Sequence, residues 1–141
     1  MIKDDMKEII EKLNTQGTMK FFDAANQEQI TEFEENNGIK LPSLYKNWLM
    51  HSDGGDLFLP SGLQLYGVAH KPLIDVNDNL RPDDYYVVIG ALSFGDPIIF
   101  KKDSEEIAVY NHEANKIEDD EKFDDFLSFL NSLYDLLDMG E

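Results

Sequence analysis

The sequence predicts an α+β fold: one domain with a central, mainly antiparallel sheet of about five to six strands, helices flanking it on the N-terminal side, and a C-terminal amphipathic helix. Three observations carry that reading. Apolar residues recur at helical spacing up to Leu49, at a spacing of two from Leu57 to Tyr110, and at helical spacing again from Phe123. The joints between the strand candidates are short and carry Gly or Pro, which suits hairpins rather than the long crossovers of a parallel sheet. A chain of 141 residues with 42% hydrophobic composition is also long enough for one sizeable core, burying roughly 68–70% of the surface its unfolded form exposes.

Ile2, Met6, Ile9, Ile10 and Leu13 stand at helical spacing with Lys and Glu between them, so an amphipathic helix opens the chain and ends between Asn14 and Gly17. Lys20-Phe21-Phe22 is too short to classify and bridges to the next helix. That helix has Asn26 as its N-cap, and Gln29 three residues on completes a capping box. Ile30 and Phe33 face the core, while Glu32, Glu34 and Glu35 point to water. Asn37-Gly38 stops the helix, because glycine enters the left-handed region without steric cost. Ile39 and Leu41 then fold back onto the core. Pro42 fits the first turn of a third helix, where a missing N–H is no loss. That helix carries Leu44, Tyr45, Trp48 and Leu49 on one stripe, and each large side chain buried there contributes roughly 1.5–3 kcal/mol. Trp48 is therefore read as core rather than as a ligand platform.

Asp53-Gly54-Gly55-Asp56 breaks the third helix. Leu57–Leu59 and Leu63–Val68 follow as short strands about Pro60-Ser61-Gly62. The stretch 72–84 is mostly polar and holds at most a single helical turn. Tyr85–Ile89, Pro97–Lys101 and Glu106–Tyr110 are the remaining strands, with Gly90 and Gly95-Asp96 as turn signals. Phe123, Phe126, Leu127, Leu130, Leu133, Tyr134 and Leu137 form the closing helix, about four turns long.

Composition excludes several function classes. There is no cysteine, so a disulfide framework, a thiol nucleophile and a Cys-ligated metal are all excluded. The N-terminus alternates charged with apolar residues and lacks the apolar run of a signal peptide. Nowhere do about 18 apolar residues run together, so no membrane span is expected. A soluble, cytoplasmic protein is the expectation. The net charge is −17, and Arg81 is the only arginine. A phosphate backbone would be repelled, which argues against nucleic acid as partner. Such acidity favours a cationic partner, whose association it can raise to about 10⁸–10⁹ M⁻¹s⁻¹ at low salt. It equally serves to keep a small protein soluble.

No catalytic or metal motif survives inspection. His51, His70 and His112 lack ligand spacing, and His112-Glu113 fails as HExxH because position 116 is Lys. Asp75, Asn77 and Asn79 imitate the start of a calcium loop, but Leu80 replaces its glycine and Tyr86 its bidentate Glu. Ser61 and Ser93 have no nucleophile-elbow setting, and Gly54-Gly55 is not followed by GK[ST]. Neither an enzyme, a cofactor nor a metal is expected. Two acidic zones remain. Asp75, Asp78, Asp83 and Asp84 face Arg81 alone, with Tyr85 and Tyr86 beside them as aromatic anchors of the kind interfaces favour. Asp103 to Asp125, including Asp103, Glu105, Glu106 and Glu113, holds ten acids against Lys116 and Lys122. Within it, Glu118–Glu121 has a plainer reading, as acids that complement the start of the last helix.

A Glu-rich helix with Phe33, then Gly38-x-x-Leu41-Pro42-x-x-Tyr45-Lys46-x-Trp48-Leu49, then Asp53-Gly54-Gly55, resembles the SUKH superfamily. Leu65-Tyr66-Gly67, Val88-Ile89-Gly90, Gly95-Asp96-Pro97-Ile98 and a helix opening Phe123-x-x-Phe126-Leu127 fit the same pattern, so the likeness runs from about Asn26 to Leu137. It implies an α+β domain in which Gly38, Leu41, Pro42, Tyr45, Trp48, Gly54, Gly55, Gly90 and Gly95 determine the fold rather than mark a catalytic centre. That superfamily includes yeast cell-wall-assembly regulators and many bacterial immunity proteins. The resemblance thus implies a protein that neutralises a cognate toxin domain (a nuclease being a frequent kind) by direct binding, and the net charge adds the expectation that this domain is cationic; the alternative it leaves is an intracellular regulatory adaptor without a toxin partner.

Overall fold

A computed structural model describes residues 3–59, 62–69, 85–93, 95–111 and 113–136. Its elements are α1 (Asp4–Gln16), β1 (Thr18–Lys20), α2 (Gln27–Asn37), α3 (Ser43–Leu49), β2 (Gly55–Leu59), β3 (Leu63–Leu65), β4 (Tyr86–Leu92), β5 (Pro97–Lys101), β6 (Ile107–Asn111), β7 (Lys116–Phe123) and α4 (Phe126–Leu136). The seven strands lie side by side in chain order, each antiparallel to the next. The chain is α+β, as the change of apolar period predicts.

The helices cover one face of this sheet. Met6, Ile9, Ile10 and Leu13 of α1, Ile30 of α2, and Tyr45, Trp48 and Leu49 of α3 are buried there. They meet Leu57, Leu65, Val87, Ile89, Ile98, Phe100, Ile107 and Val109 of the sheet in one core. Phe126 of α4 closes it, edge-on to Tyr45 at 4.8 Å and to Trp48 at 5.8 Å between ring centroids. Such pairs add about 0.5–1.5 kcal/mol beyond the area they bury. Residues of the opposite parity, Val88, Ile99, Ala108 and Tyr110, form a second buried cluster on the other face.

Local signals place the helix ends as the sequence predicts. Asn26 Oδ1 accepts from Gln29 N at 2.8 Å, and Gln29 Oε1 accepts from Asn26 N at 2.9 Å, a complete capping box. Gly38 ends α2 in the left-handed conformation, φ 64°.

Four expectations need correction. Among the described residues the sheet has seven strands, more than the expected five to six. Thr18–Lys20, of which the sequence reading assigns only Lys20, to the bridge Lys20-Phe21-Phe22, is a strand paired with β2 through Thr18↔Leu59 and Lys20↔Asp56; three residues are too few to show a period. The seventh strand spans the acidic run, so Glu118–Glu121 does not open the last helix and Phe123 belongs to β7. α4 begins at Phe126, with Asp125 Oδ1 accepting from Ser128 N at 2.8 Å as its cap. Opposite residues decide that pairing: Ile107 faces Phe123 and Tyr110 faces Ile117. Between Ala108↔Lys122 and Tyr110↔Ile117, β6 advances two residues while β7 advances five, so the acids occupy a bulge. Finally, Glu34 does not point to water. Its Oε2 accepts from Leu41 N at 2.7 Å and pairs with Lys46 Nζ at 3.4 Å.

Candidate functional site

The family motif folds into a buried polar knot at the end of α3. Ser52 and Asp53 are both fully buried. Ser52 Oγ accepts from Phe22 N at 2.9 Å and donates to Gly54 O at 2.8 Å; Trp48 Nε1 donates to the same carbonyl at 2.9 Å. Gly54 must be glycine, since its φ is 98° and a Cβ there would lie 2.5 Å from Leu65 O. Asp53 grips the far end of β3: Oδ1 accepts from Val68 N at 2.7 Å and Oδ2 from Ala69 N at 2.9 Å. The Tyr45 hydroxyl donates to Tyr66 O and, at 3.4 Å, to Ile89 O. Burial, with the Asp53 charge behind it, pushes the Tyr45 phenol well above its ordinary pKa of 10.0. His51 stands edge-on to Phe21 at 4.7 Å and to Trp48 at 5.8 Å between ring centroids, and its Nε2 is buried with no hydrogen-bond partner among the described residues. Burial lowers its pKa from the ordinary 6.5. The knot ties three chain segments together: 22–23, the end of α3, and 66–69.

The acidic candidates separate into two places. Asp75, Asp78, Asp83 and Asp84 lie outside the described residues. Tyr85 is 68% exposed at the start of β4, whereas Tyr86 is half-buried against the second cluster. Asp103, Glu105 and Glu106 form the β5–β6 turn, at the same end of the sheet as Tyr85, because Lys102 N donates to Tyr85 O at 2.6 Å. Glu113 stands at the opposite end, in the β6–β7 turn. The four residue steps of β6 alone put about 14 Å between those turns. Gly90 lies within β4 and Gly95 in the turn after it, with Leu41 and Pro42 buried at the α2–α3 elbow.

Glu105 has a structural task that the sequence reading missed. Its Oε2 accepts from Ser43 N at 2.9 Å, and its Oε1 from Ser43 Oγ at 2.8 Å and Leu44 N at 3.3 Å. The β5–β6 turn thereby caps α3 from 62 residues away in the chain. Asn26 was legible as a cap because its partner is three residues on; nothing local signals Glu105. Between this turn and the α2–α3 elbow runs a groove of about 400 Å³ lined by Glu35, Gly38, Ile39, Lys40, Lys102 and Asp103 among others. It adjoins a second of about 510 Å³ through Lys40 and Asp103. Among the described residues, no three His, Asp or Glu side chains cluster as metal ligands would. No helix there is long and apolar enough to cross a membrane.

With this geometry established, residues 24–129 match the SMI1 / KNR4 family (SUKH-1). The chain belongs to that family, which brings toxin-immunity proteins and SMI1/KNR4 regulators together. No curated protein matches it. The matched span begins after β1, so α1 and β1 lie outside it and complete the sheet edge and core from the N-terminal side.

Proposed function

We propose that this chain is a non-enzymatic immunity protein of a bacterial toxin system, acting in the cytoplasm by covering a cognate, cationic toxin domain. One observation carries the reading beyond family membership. The motif's buried polar groups, Ser52, Asp53 and Tyr45, are engaged with backbone partners that hold the fold, while a net charge of −17 is left to act outward. Charge of that sign suits a basic protein surface, such as the groove of a nuclease that would hold nucleic acid.

Co-expression with the toxin domain encoded by a neighbouring reading frame tests this directly. Protected cells and a stoichiometric, salt-sensitive complex are expected. Failure to protect would defeat the proposal, and protection at substoichiometric amounts would point to an enzyme instead. Binding to a cellular regulator without any toxin would place the chain with the regulatory members of its family.

A further inference from the structure

We propose that Met19 is an oxidation site, at which a hydroperoxide turns the thioether into a sulfoxide and so unfastens β1 from β2; the switch goes beyond the immunity reading and needs no toxin partner. Among the described residues, Phe58, Asp103 and Asn115 hold a positive φ without being glycine, at 57°, 62° and 57°. Asp103 and Asn115 stand in turns, and Asp and Asn enter the left-handed region readily. Phe58 is a bulky residue inside β2, where that conformation is an outlier. It sits in a bulge: between Thr18↔Leu59 and Lys20↔Asp56, β1 advances two residues while β2 advances three. A left-handed residue in a bulge is ordinarily glycine, so Phe58 keeps this conformation only because its surroundings hold it. Gly17 and Gly62 make room for it, since a Cβ on Gly17 would lie 2.7 Å from Phe58 Cδ1 and one on Gly62 would lie 2.6 Å from Phe58 Cβ. Met19 fastens it, with Sδ accepting from Phe58 N at 3.4 Å across the two strands.

The sulfur is the part of this clamp that oxidation can change. Met19 is half-buried on an edge strand of three residues, whereas Met6 is fully buried. A thioether sulfur has two lone pairs; one faces Phe58 N and the other is free to act as a nucleophile. That pair attacks the terminal oxygen of a hydroperoxide and the O–O bond breaks. The oxygen stays on sulfur, and its proton passes to the departing fragment, which leaves as an alcohol, or as water from hydrogen peroxide. Sulfur is oxidised, the peroxide is reduced, and no further reagent is needed. The product sulfur is positively polarised, so it no longer accepts from Phe58 N, and its new oxygen points away from that N–H. The side chain has also become polar, which opposes its packing against the core. With the clamp undone, Phe58 can relax to an ordinary strand conformation that the paired β1 does not allow. α1 stays in place, because Met6, Ile9, Ile10 and Leu13 anchor it in the core. The opening is therefore confined to β1, and it leaves the edge of β2 unpaired.

The test treats the purified full-length chain with hydrogen peroxide, locates each sulfoxide by peptide mass spectrometry, and follows amide exchange residue by residue. Met19 should oxidise at least about tenfold faster than Met6. In the oxidised protein, exchange at Phe58, Thr18 and Lys20 should quicken about tenfold or more, while exchange within α1 stays within about twofold of the untreated chain. The melting temperature should fall by about 3–5 °C. Methionine sulfoxide reductases for both epimers, supplied with dithiothreitol, should restore exchange and melting together. Met50→Leu, which removes another half-buried methionine, should respond as wild type does, and Met19→Leu should show no response to peroxide. The switch is refuted if Met19 oxidises no faster than Met6, if its oxidation leaves exchange at Phe58 unchanged, or if Met19→Leu responds like wild type. Should Met19→Leu fail to fold, partly oxidised wild type still decides: exchange at Phe58 must rise and fall with the fraction of Met19 sulfoxide, and a course that follows another methionine overturns the assignment.

Discussion

Replacing Asp53 with Ala probes whether the polar knot carries the fold. The carboxylate accepts from Val68 N and Ala69 N at 2.7 and 2.9 Å, two charge-assisted bonds at a fully buried position. Bonds to a charged group contribute about 1.5–3 kcal/mol each, so together they are worth roughly 3–6 kcal/mol. Removing a buried charge also relieves its desolvation, which offsets part of that sum. The half-buried Ala69 N–H can turn to water, whereas the buried Val68 N–H cannot do so without opening the chain. A net loss of about 2–4 kcal/mol is expected, a large share of the 5–15 kcal/mol typical of folded proteins. In urea, with an m-value of about 2 kcal/mol/M, the midpoint should fall by about 1–2 M. Amide exchange should quicken at Val68 and Ala69 before it does elsewhere. A midpoint within about 0.3 M of wild type, or unchanged exchange at those two amides, would refute the idea that Asp53 pins the end of β3.

Trp48→Ala, read by urea denaturation, should cost about 3–5 kcal/mol, because it empties a fully buried site and leaves Gly54 O without its indole donor. Glu105→Ala should lose about 1 kcal/mol as an N-cap and loosen α3 rather than abolish folding, which exchange at Ser43 and Leu44 would report. Stability should also fall at both ends of the pH scale. The folded state holds the His51 pKa below 6.5, so its contribution is complete above that pH and is lost as pH drops through the depressed value. It holds the Tyr45 pKa above 10.0, so that contribution is complete below pH 10.0 and is lost on the alkaline side. His51→Phe should flatten the acid limb of a Tm-against-pH curve and leave the alkaline limb in place.

How much of this was legible depends on the range of the interaction. The capping box at Asn26, the glycine stop at Gly38 and the stripe of Tyr45 and Trp48 are encoded within five residues, and the structure keeps them all. β1 was hidden because a three-residue strand has no period. β7 was hidden because acids fill the positions where apolar alternation would show, and only its partners on β6 reveal it. Glu34, Asp53 and Glu105 read as surface charge or as a helix breaker, since the groups they hold lie 7, 15 and 62 residues away. Charge count alone cannot separate a carboxylate that caps a helix from one that waits for a partner.

Those three carboxylates also explain how an acidic domain can present charge without being unfolded by it. Repulsion among like charges favours expansion, and the Asp103–Glu106 turn lies beside the elbow that bears Glu34 and Glu35. Each engaged acid converts that repulsion into a tie. Glu34 closes the elbow through Lys46 and Leu41 N, Glu105 fastens the turn to α3, and Asp53 fastens α3 to the end of β3. The remaining acids, Glu35 and Asp103 among them, are then held on backbone that cannot relax away from a partner. Rigid charge loses less entropy on binding than mobile charge does. The engaged and the unengaged carboxylates are then two halves of one device, and loosening the first should weaken the hold on a partner as well as the fold.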